Sequence, residues 1–446
     1  MYFISILYFL VVSYCLGFTI TSFVRNNDHF LERNIMRFGF GMSLMPLIGM
    51  ILNLIRLPAD WRIILILSLI YPLYYLGKNF SSIKDNIASN LKLTSSDLYA
   101  LGALLIFLAS AYIYISGAFS YPFLENDDSW GHAEGLKYVS MEKEVYSDQA
   151  VIVRYMNPYP PTYDLLLGII QQTNESVYWT LKFFNGLIVA SAVLFFFFFV
   201  REFSNNRKLA LFATFCLASI PAFLSHFIWA LALTMPLYFV TFYAIEQINY
   251  DKKWWIVSGL VMFTTLTSSP THSTYFGVFF ILYFLVRSIV EKKILVYEAL
   301  AGLLGIASSF LIWWLPMILK HGVAGTLQGI GFRAGHGAAS FGGTGDRAYT
   351  LGDFLFAKHQ NMINNPVGVG LVLSLLAIIG VVFLIIKYKE IIEKRHYWLF
   401  VTFIWFLFTL YAVNAAKMPI KLSPFRAWMI FAIKEDLRSE GVPPPM

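Results

Sequence analysis

Apolar runs of membrane-spanning length recur along almost the whole of this 446-residue chain. Its residues are 58% hydrophobic and only 13% charged, whereas soluble domains are about 45–50% apolar. A transmembrane helix needs about 20 mostly apolar residues, at a rise of about 1.5 Å each. The sequence therefore predicts an all-α, polytopic transmembrane helical bundle.

Twelve apolar runs are predicted to be spans, several of them short. They are Tyr2–Val24, Phe38–Ile55, Ile63–Leu76, Leu98–Ser116, Val177–Val200, Leu209–Leu224, Phe227–Ile245, Trp255–Thr267, Thr274–Val290, Ala299–Leu319, Val367–Ile386 and Tyr397–Val413. A thirteenth begins at Pro424 and stops near Ile433, too short to cross. The residues after it, 434–446, are predicted to be a truncated cytoplasmic tail.

Two long segments between spans are predicted to be extracytoplasmic. Residues 117–176 carry nine acidic side chains, and residues 320–366 are rich in glycine. With these segments outside, the short loops on the other side hold most of the Lys and Arg, as cytoplasmic loops do. The sequence therefore predicts a multi-pass protein of the cell (plasma) membrane whose active site faces the extracytoplasmic side.

The stretch from Glu125 to Val139 concentrates ionisable side chains in a chain that has few. A helix starting after Asn126 would place Asp128 and His132 on one face, at positions i and i+4. A carboxylate at the rim of an apolar cavity, beside an imidazole, is suited to act as a base or to hold a metal. The alternative is a solvated loop whose aspartate caps a helix.

Other candidate residues fall at predicted extracytoplasmic turns. A helix started by Pro161, either amphipathic at the interface or re-entrant, is predicted within Tyr159–Ile170. His226 and His272 lie at two such turns, where hydrogen bonding at a helix end is the alternative to ligand binding. The predicted outside cations include Arg154, Lys182, Arg333, Arg347, Lys421 and Arg426. A cation beside an apolar run is costly, so Arg426 is predicted to bind phosphate; for Lys182, snorkelling to a lipid headgroup remains open.

Together these motifs resemble the GT-C fold glycosyltransferases, a superfamily that includes protein O-mannosyltransferases, aminoarabinose transferases and oligosaccharyltransferases. The acidic motif Asn126-Asp-Asp-Ser-Trp-Gly-His132 opens the first large outside loop. The Tyr159–Ile170 helix follows it, the turn Pro270–His272 separates two later spans, and Pro424–Arg426 begins a late one. The resemblance runs from about Leu98 to the end, which makes 1–97 an N-terminal three-span addition and 98–433 the catalytic domain.

The resemblance implies transfer of a sugar from a polyprenyl-phosphate donor to a hydroxyl of a lipid, glycan or protein acceptor. By match, Asp128 is the predicted general base, with Asp127 second, and Arg426 stabilises the leaving phosphate. The Gly-rich segment 320–366 would close over the substrate. Members differ in metal use, so the resemblance leaves open whether a divalent cation such as Mg²⁺ or Mn²⁺ is required. If one is, its predicted ligands are Asp128 and His132. The predicted substrate-binding residues are His132, Glu125, Tyr159, His226, His272, Arg333 and Arg426.

Two other functions fit a chain of this composition. A transporter or flippase of a lipid-linked or polar solute would place ionisable residues deep within broken spans. The acids here cluster in an outside segment instead, which favours the enzyme. A non-catalytic member of the fold is the third alternative. No nucleic-acid partner is predicted, because the net charge of +7 reflects the Lys and Arg of cytoplasmic loops.

Overall fold

The structure of the protein is a computed structural model. It describes residues 2–25, 29–90, 95–125, 127–220, 222–223, 227–330, 348–356, 358–359, 366–394, 396–417, 422 and 424–435. The predicted site residues His226 and Arg333 lie outside these ranges, as do the middle of the Gly-rich segment and most of the tail 434–446.

Helices make up most of the described chain. The first half contains α1 (Tyr2–Thr21), α2 (Phe30–Leu54), α3 (Trp61–Asn90), α4 (Ser95–Ser120), α5 (Asp127–Glu142), a 3₁₀ turn (Asp148–Ile152), α6 (Thr162–Gln171), α7 (Val177–Ser204) and α8 (Arg207–Ser219). The second half contains α9 (Leu231–Gln247), α10 (Trp254–Leu266), α11 (Pro270–Glu291), α12 (Val296–Ser309), a π-helical turn (Phe310–Trp314), α13 (Leu315–Gly329), α14 (Leu351–Leu355), α15 (Leu371–Glu393), α16 (Tyr397–Val413), a 3₁₀ turn (Ala415–Lys417) and α17 (Pro424–Glu435). Two-residue strands, β1 (Lys358–His359) and β2 (Pro366–Val367), pair antiparallel.

Every predicted span overlaps a helix, which confirms the all-α polytopic architecture. Within the described ranges, eight helical segments are long and apolar enough to cross a membrane. They are Tyr2–Thr21, Phe30–Leu54, Trp61–Phe80, Asp97–Ser120, Val177–Ser204, Pro270–Glu291, Val296–Gly329 and Leu371–Glu393. The other four predicted spans are the shorter helices α8, α9, α10 and α16, of 13 to 17 residues.

The core of the bundle is centred on α7 and α9. All 17 residues of α9 are buried, and 83% of the apolar window of α7 is buried. α7 packs against α4, α8 and α9, and α9 also packs against α10. α2 lies against α9 and α10, so at least one of the first three helices shares this core. The boundary at residue 97 stays a prediction.

A buried ion pair ties α2 to α7. Arg201 Nη2 donates to Glu32 Oε1 at 2.6 Å, and Nη1 contacts the other carboxylate oxygen. The Tyr243 hydroxyl of α9 donates to the same Oε1 at 2.7 Å. Glu32 is 1% exposed and Arg201 8%, so water cannot replace either partner.

We expect Arg201→Met to lower the free energy of unfolding in detergent by about 3–5 kcal/mol, because it leaves the Glu32 carboxylate buried without its cation. The measurement is thermal or denaturant unfolding of the purified protein. Arg62→Met is the matched control, since Arg62 is exposed, and it should change stability by less than about 0.5 kcal/mol. Equal losses in both variants would contradict the role of the buried pair.

The two long segments predicted as loops are partly helical. Residues 117–176 contain α5, a 3₁₀ turn and α6, and every residue of α6 is buried. The Gly-rich segment was predicted to begin at residue 320, but α13 continues to Gly329. α13 is kinked at Gly322, whose φ of +69° suits glycine. Residues 331–347 lie outside the described ranges.

The end of α5 is fastened to the turn before α3. Lys143 Nζ donates to Asp60 Oδ2 at 2.6 Å, and the Ala59 N–H donates to the Lys143 carbonyl at 2.8 Å. Burial alone would raise the pKa of Asp60. Hydrogen bonds from Lys143 and from the Arg62 backbone outweigh it and lower the pKa below its ordinary value of 3.8.

A lowered pKa in the folded protein means that the ion pair stabilises the fold above the unfolded pKa of 3.8, and that this contribution is lost as pH falls through the folded pKa. We expect Asp60→Asn to cost about 1 kcal/mol at pH 7, since the pair is partly exposed. The difference from wild type should shrink below pH 3.8. Unfolding measured at pH 7 and at acid pH checks this, and a constant difference would contradict it.

Candidate functional site

α5 carries the acidic motif and packs closely on α6 through two glycines. A Cβ at Gly135 would lie 2.3 Å from Asp164 Oδ2, and one at Gly168 would lie 2.6 Å from Val139. This close approach lets His132 Nδ1 and Asp164 Oδ1 meet at 2.7 Å, both buried. Burial raises the pKa of Asp164, and the neighbouring imidazole opposes the rise.

His132 therefore hydrogen-bonds to Asp164 rather than to Asp128. Sequence spacing correctly places Asp128 and His132 on one face of α5, but the partner of the imidazole comes from α6. The carboxylate fixes the ring, so its Nδ1 is occupied. The ring also stacks on Tyr155, with centroids 4.4 Å apart.

Asp128 faces Tyr155 and Arg154, which follow the 3₁₀ turn. The Tyr155 hydroxyl donates to Asp128 Oδ1, and Arg154 Nη2 lies 3.6 Å from the same oxygen. Burial and the charge of Asp128 raise the pKa of Tyr155, which keeps its hydroxyl protonated as a donor. Asp127 points outward, with 76% of its side chain exposed, and pairs with Arg154 at 2.9 Å.

The opposite wall comes from the start of α11 and from α17. The Ser269 hydroxyl and His272 Nδ1 lie 2.8 Å apart, and His272 is 2% exposed. The Tyr238 hydroxyl of α9 donates to the His272 carbonyl. Arg426 Nη1 donates to Thr271 Oγ1 at 3.4 Å, so α17 is joined to the same turn.

These groups surround one small cavity at the start of α9. Its volume is about 20 Å³, and it is lined by Asp128, His132, Tyr155, Tyr159, Trp229, Ala230, Leu231, Ser269, His272 and Arg426. A space of this size holds about one water molecule. A sugar therefore cannot enter until the lining side chains separate.

The π-helical turn and α13 together hold the segment that carries Arg154 and Tyr155. The Tyr146 hydroxyl donates to the Ile312 carbonyl at 2.6 Å, within the π-helical turn. His321 Nε2 and Asn157 Oδ1 lie 2.6 Å apart, and Trp313 Nε1 donates to the Pro158 carbonyl at 3.3 Å. A π-helical turn alters the backbone bonding of a helix and is frequent at functional sites.

Five of the predicted site residues line the cavity: Asp128, His132, Tyr159, His272 and Arg426. Asp127 and Glu125 do not line it. The roles of all of these residues stay predictions, as does the closure of the Gly-rich segment. Sequence reasoning placed Arg154 outside but gave it no role, and it missed Tyr155, Asp164, Trp229 and Ser269.

The missed residues had weak signals. Asp164 stands inside the predicted Tyr159–Ile170 helix, but its partner His132 is distant in sequence. Ser269 directly precedes the predicted turn Pro270–His272. Tyr155 approaches α5 over Gly131, where a Cβ would lie 2.8 Å from its ring. In the sequence, this contact is indicated only by a glycine within the acidic helix.

Lys182 is bound by protein groups at the end of α4, and the phosphate and lipid contacts predicted for it stay predictions. Its side chain is buried at 1% exposure. The ammonium donates to the Tyr121 carbonyl at 2.5 Å and to the Tyr178 hydroxyl at 2.7 Å. Tyr178 in turn donates to the Pro122 carbonyl at 2.6 Å. Lys182 thus holds the end of α4 before the acidic motif.

A divalent cation at Asp128 and His132 stays a prediction. Mg²⁺ prefers near-octahedral oxygen ligation, whereas these two residues offer one carboxylate and one imidazole. The carboxylate already accepts from Tyr155. Across the described ranges, no group of three His, Cys, Asp or Glu side chains could hold a metal. These donors do not form a metal site by themselves, so we derive no step through a metal.

Comparison with solved structures finds an oligosaccharyltransferase from an archaeon. The chain is similar to AglB from Archaeoglobus fulgidus in complex with an inhibitory peptide and a dolichol-phosphate, with 12% identity and a TM-score of 0.49. It is also similar to the Archaeoglobus fulgidus oligosaccharyltransferase tethered to an acceptor peptide containing the NVT sequon, with 11% identity and a TM-score of 0.47. In both cases 76% of this chain is covered, and the chain spans 49% of the other's length.

No protein-family model matches the chain, and no curated protein matches it.

Proposed function

We propose that the chain is an integral membrane glycosyltransferase of the GT-C type, which moves a sugar from a polyprenyl-phosphate carrier to an acceptor hydroxyl. The observation that carries the proposal is a carboxylate and a guanidinium facing the same cavity. Asp128 and Arg426 are almost 300 residues apart in sequence, yet both line it. One group is suited to take a proton and the other to bind a phosphate.

In the proposed reaction, Asp128 takes the proton of the acceptor hydroxyl as its oxygen attacks the anomeric carbon. The bond between that carbon and the carrier phosphate oxygen breaks, and its electron pair leaves with the phosphate. Arg426 lies where it can stabilise the charge that develops on the leaving group. Tyr155 holds the carboxylate in place by donating to Oδ1.

The buried polar wall around His272 favours recognition of a hydroxylated ligand. Its Nε2 is buried and has no hydrogen-bond partner among the residues that the structure describes. An unsatisfied buried group costs about 1–3 kcal/mol. A sugar hydroxyl entering the cavity would satisfy that nitrogen, which makes His272 our proposed contact to the donor sugar.

The test is reconstitution of the purified protein in liposomes with polyprenyl-phosphate and polyprenyl-diphosphate sugars and with candidate peptide, glycan and lipid acceptors. The proposal expects a product whose mass rises by one glycosyl unit, together with release of the carrier phosphate. Flux of a solute or of the lipid-linked sugar across the bilayer, with no sugar transferred from any donor, would contradict it and support a transporter.

We expect Gly131→Ala to slow transfer about tenfold, because its Cβ would push the Tyr155 ring away from Asp128 and disturb the alignment of the base. Alanine favours helix more than glycine by about 1 kcal/mol, so a loss of α5 would not explain the effect. The measurement is the initial rate of transfer.

A double-mutant cycle provides the control. If Gly131→Ala acts through the Tyr155 hydroxyl, the pair Gly131→Ala/Tyr155→Phe should be no slower than Tyr155→Phe alone. Additive losses would show that the glycine acts by another route.

A further inference from the structure

A second cavity lies at the other end of α9. Leu231, the first residue of α9, lines the candidate site, whereas Tyr250–Lys253 follow its last turn and line an open cleft. A helix of 17 residues is about 25 Å long at 1.5 Å per residue. The cleft and the candidate site therefore lie at opposite ends of the bundle core.

The cleft is larger than the candidate site and carries an excess of positive charge. Its volume is about 550 Å³, and its lining includes Arg25, Lys252 and Lys253. All three cations are exposed, and none forms an ion pair with another described residue. Three unpaired cations around one concavity attract an anion.

Among the described residues that line the cleft, Asp251 is the acidic one, and its carboxylate is already engaged. Asp251 Oδ2 accepts from the Arg25 backbone N–H at 2.9 Å, and Oδ1 accepts from the Lys253 backbone N–H at 3.0 Å. These bonds lower the pKa of Asp251. The carboxylate therefore bonds to the backbone, and among the described lining residues the three cations outnumber the one acid.

Hydrogen bonds to the backbone of Arg25 fix its position. Besides the bond to Asp251, its carbonyl accepts from Trp254 Nε1 at 2.9 Å, and Trp254 is buried at 2% exposure. The Lys252 ammonium lies 5.5 Å from the Tyr297 ring centroid. The end of α1 is thereby joined to the turn between α9 and α10, and the cleft is a built part of the fold.

An apolar path leads from the cleft to the outside of the bundle. Phe23, which lines it, is 61% exposed and lies 5.8 Å from the Tyr71 ring. Tyr71 belongs to α3, whose apolar window is only 11% buried. Tyr250 is 68% exposed at the rim. Aromatic side chains of this kind sit at the headgroup level of a bilayer.

We propose that this cleft binds the phosphate headgroup of an anionic phospholipid, in the leaflet opposite the candidate site. Arg25, Lys252 and Lys253 contact the phosphate and its anionic substituent, and the acyl chains lie along Phe23 and α3. A soluble phosphate would match the cations but would make no use of the exposed aromatic path. The proposal is independent of the glycosyltransferase function.

The experiment measures lipid retention by native mass spectrometry of the detergent-purified full chain, supplied with equal amounts of phosphatidylglycerol and phosphatidylcholine. The variant is Arg25→Gln/Lys252→Gln/Lys253→Gln. The matched control, Lys387→Gln/Lys389→Gln/Lys394→Gln, removes the same charge near the end of α15. That region is on the same side, because Tyr397 at the start of α16 donates to Glu246 near the end of α9.

We expect the cleft variant to lose about tenfold of the preference for phosphatidylglycerol, and the control to keep it. The double variant Lys252→Gln/Lys253→Gln should lose part of the preference for phosphatidylglycerol. It provides the test if the triple variant does not fold. Equal losses in cleft and control variants would overturn the proposal, since charge at any position would then suffice. Displacement of the lipid by millimolar inorganic phosphate would also overturn it, in favour of a soluble anion.

Discussion

Asp128→Asn should reduce sugar transfer by about 10²–10⁴-fold, because the amide cannot accept the proton of the attacking hydroxyl. The side chain keeps its size and its contact with Tyr155, so binding of the donor should change little. The measurement is the single-turnover rate in proteoliposomes, together with the affinity for the donor. A fall in rate without a fall in affinity is the expected pattern.

Asp127→Asn is the matched control for that experiment. The two aspartates are adjacent, and both interact with Arg154, but the Asp127 side chain is 76% exposed, against 26% for Asp128. We expect Asp127→Asn to change the rate by less than about threefold, since an exposed ion pair contributes about 0.2–1 kcal/mol. A larger effect at Asp127 than at Asp128 would transfer the role of base to the first aspartate.

Arg426→Gln should reduce transfer by about 10²–10³-fold, because the developing charge on the leaving phosphate loses its guanidinium. Arg426→Lys should recover part of this loss, since it restores the charge but not the planar pair of donors. The measurement is the transfer rate with donors whose carrier ends in one phosphate or in two. Arg426→Gln should depress the rate for both.

Arg62→Gln controls for the loss of a positive charge. Arg62 lies in the first turn of α3 and is exposed, and its removal should leave the rate within about twofold, as is usual for an exposed charge. Full activity in Arg426→Gln would refute the proposed contact with phosphate.

The length of the apolar runs was enough to predict the helices of the predicted spans, whereas the orientation predicted from charge stays a prediction. Each apolar run long enough to be proposed as a span overlaps a helix, because a chain in lipid must satisfy its backbone internally. The segments between spans were predicted less well. α6 is buried although it is only 10 residues long, and a short buried helix cannot be distinguished from an interfacial one by composition.

The site was predicted in part for a related reason. A motif indicates which residue types are present, so Asp128, His272 and Arg426 could be selected as candidates. It does not reveal partners that the fold supplies from far away in sequence. His132 illustrates the limit: helical spacing pointed to Asp128, but close packing at Gly135 and Gly168 brings Asp164 of α6 to the imidazole instead.

Chemical rescue tests most directly whether Asp128 is the base. Asp128→Gly removes the carboxylate and leaves a space beside a cavity of about 20 Å³, which added formate could occupy. If Asp128 takes the proton of the acceptor, formate should restore transfer in Asp128→Gly in proportion to its concentration, and it should have no effect on Arg426→Gln. Two results would contradict the account. In one, Asp128→Gly folds and binds donor but stays inactive at every formate concentration; in the other, it transfers sugar at the wild-type rate without formate.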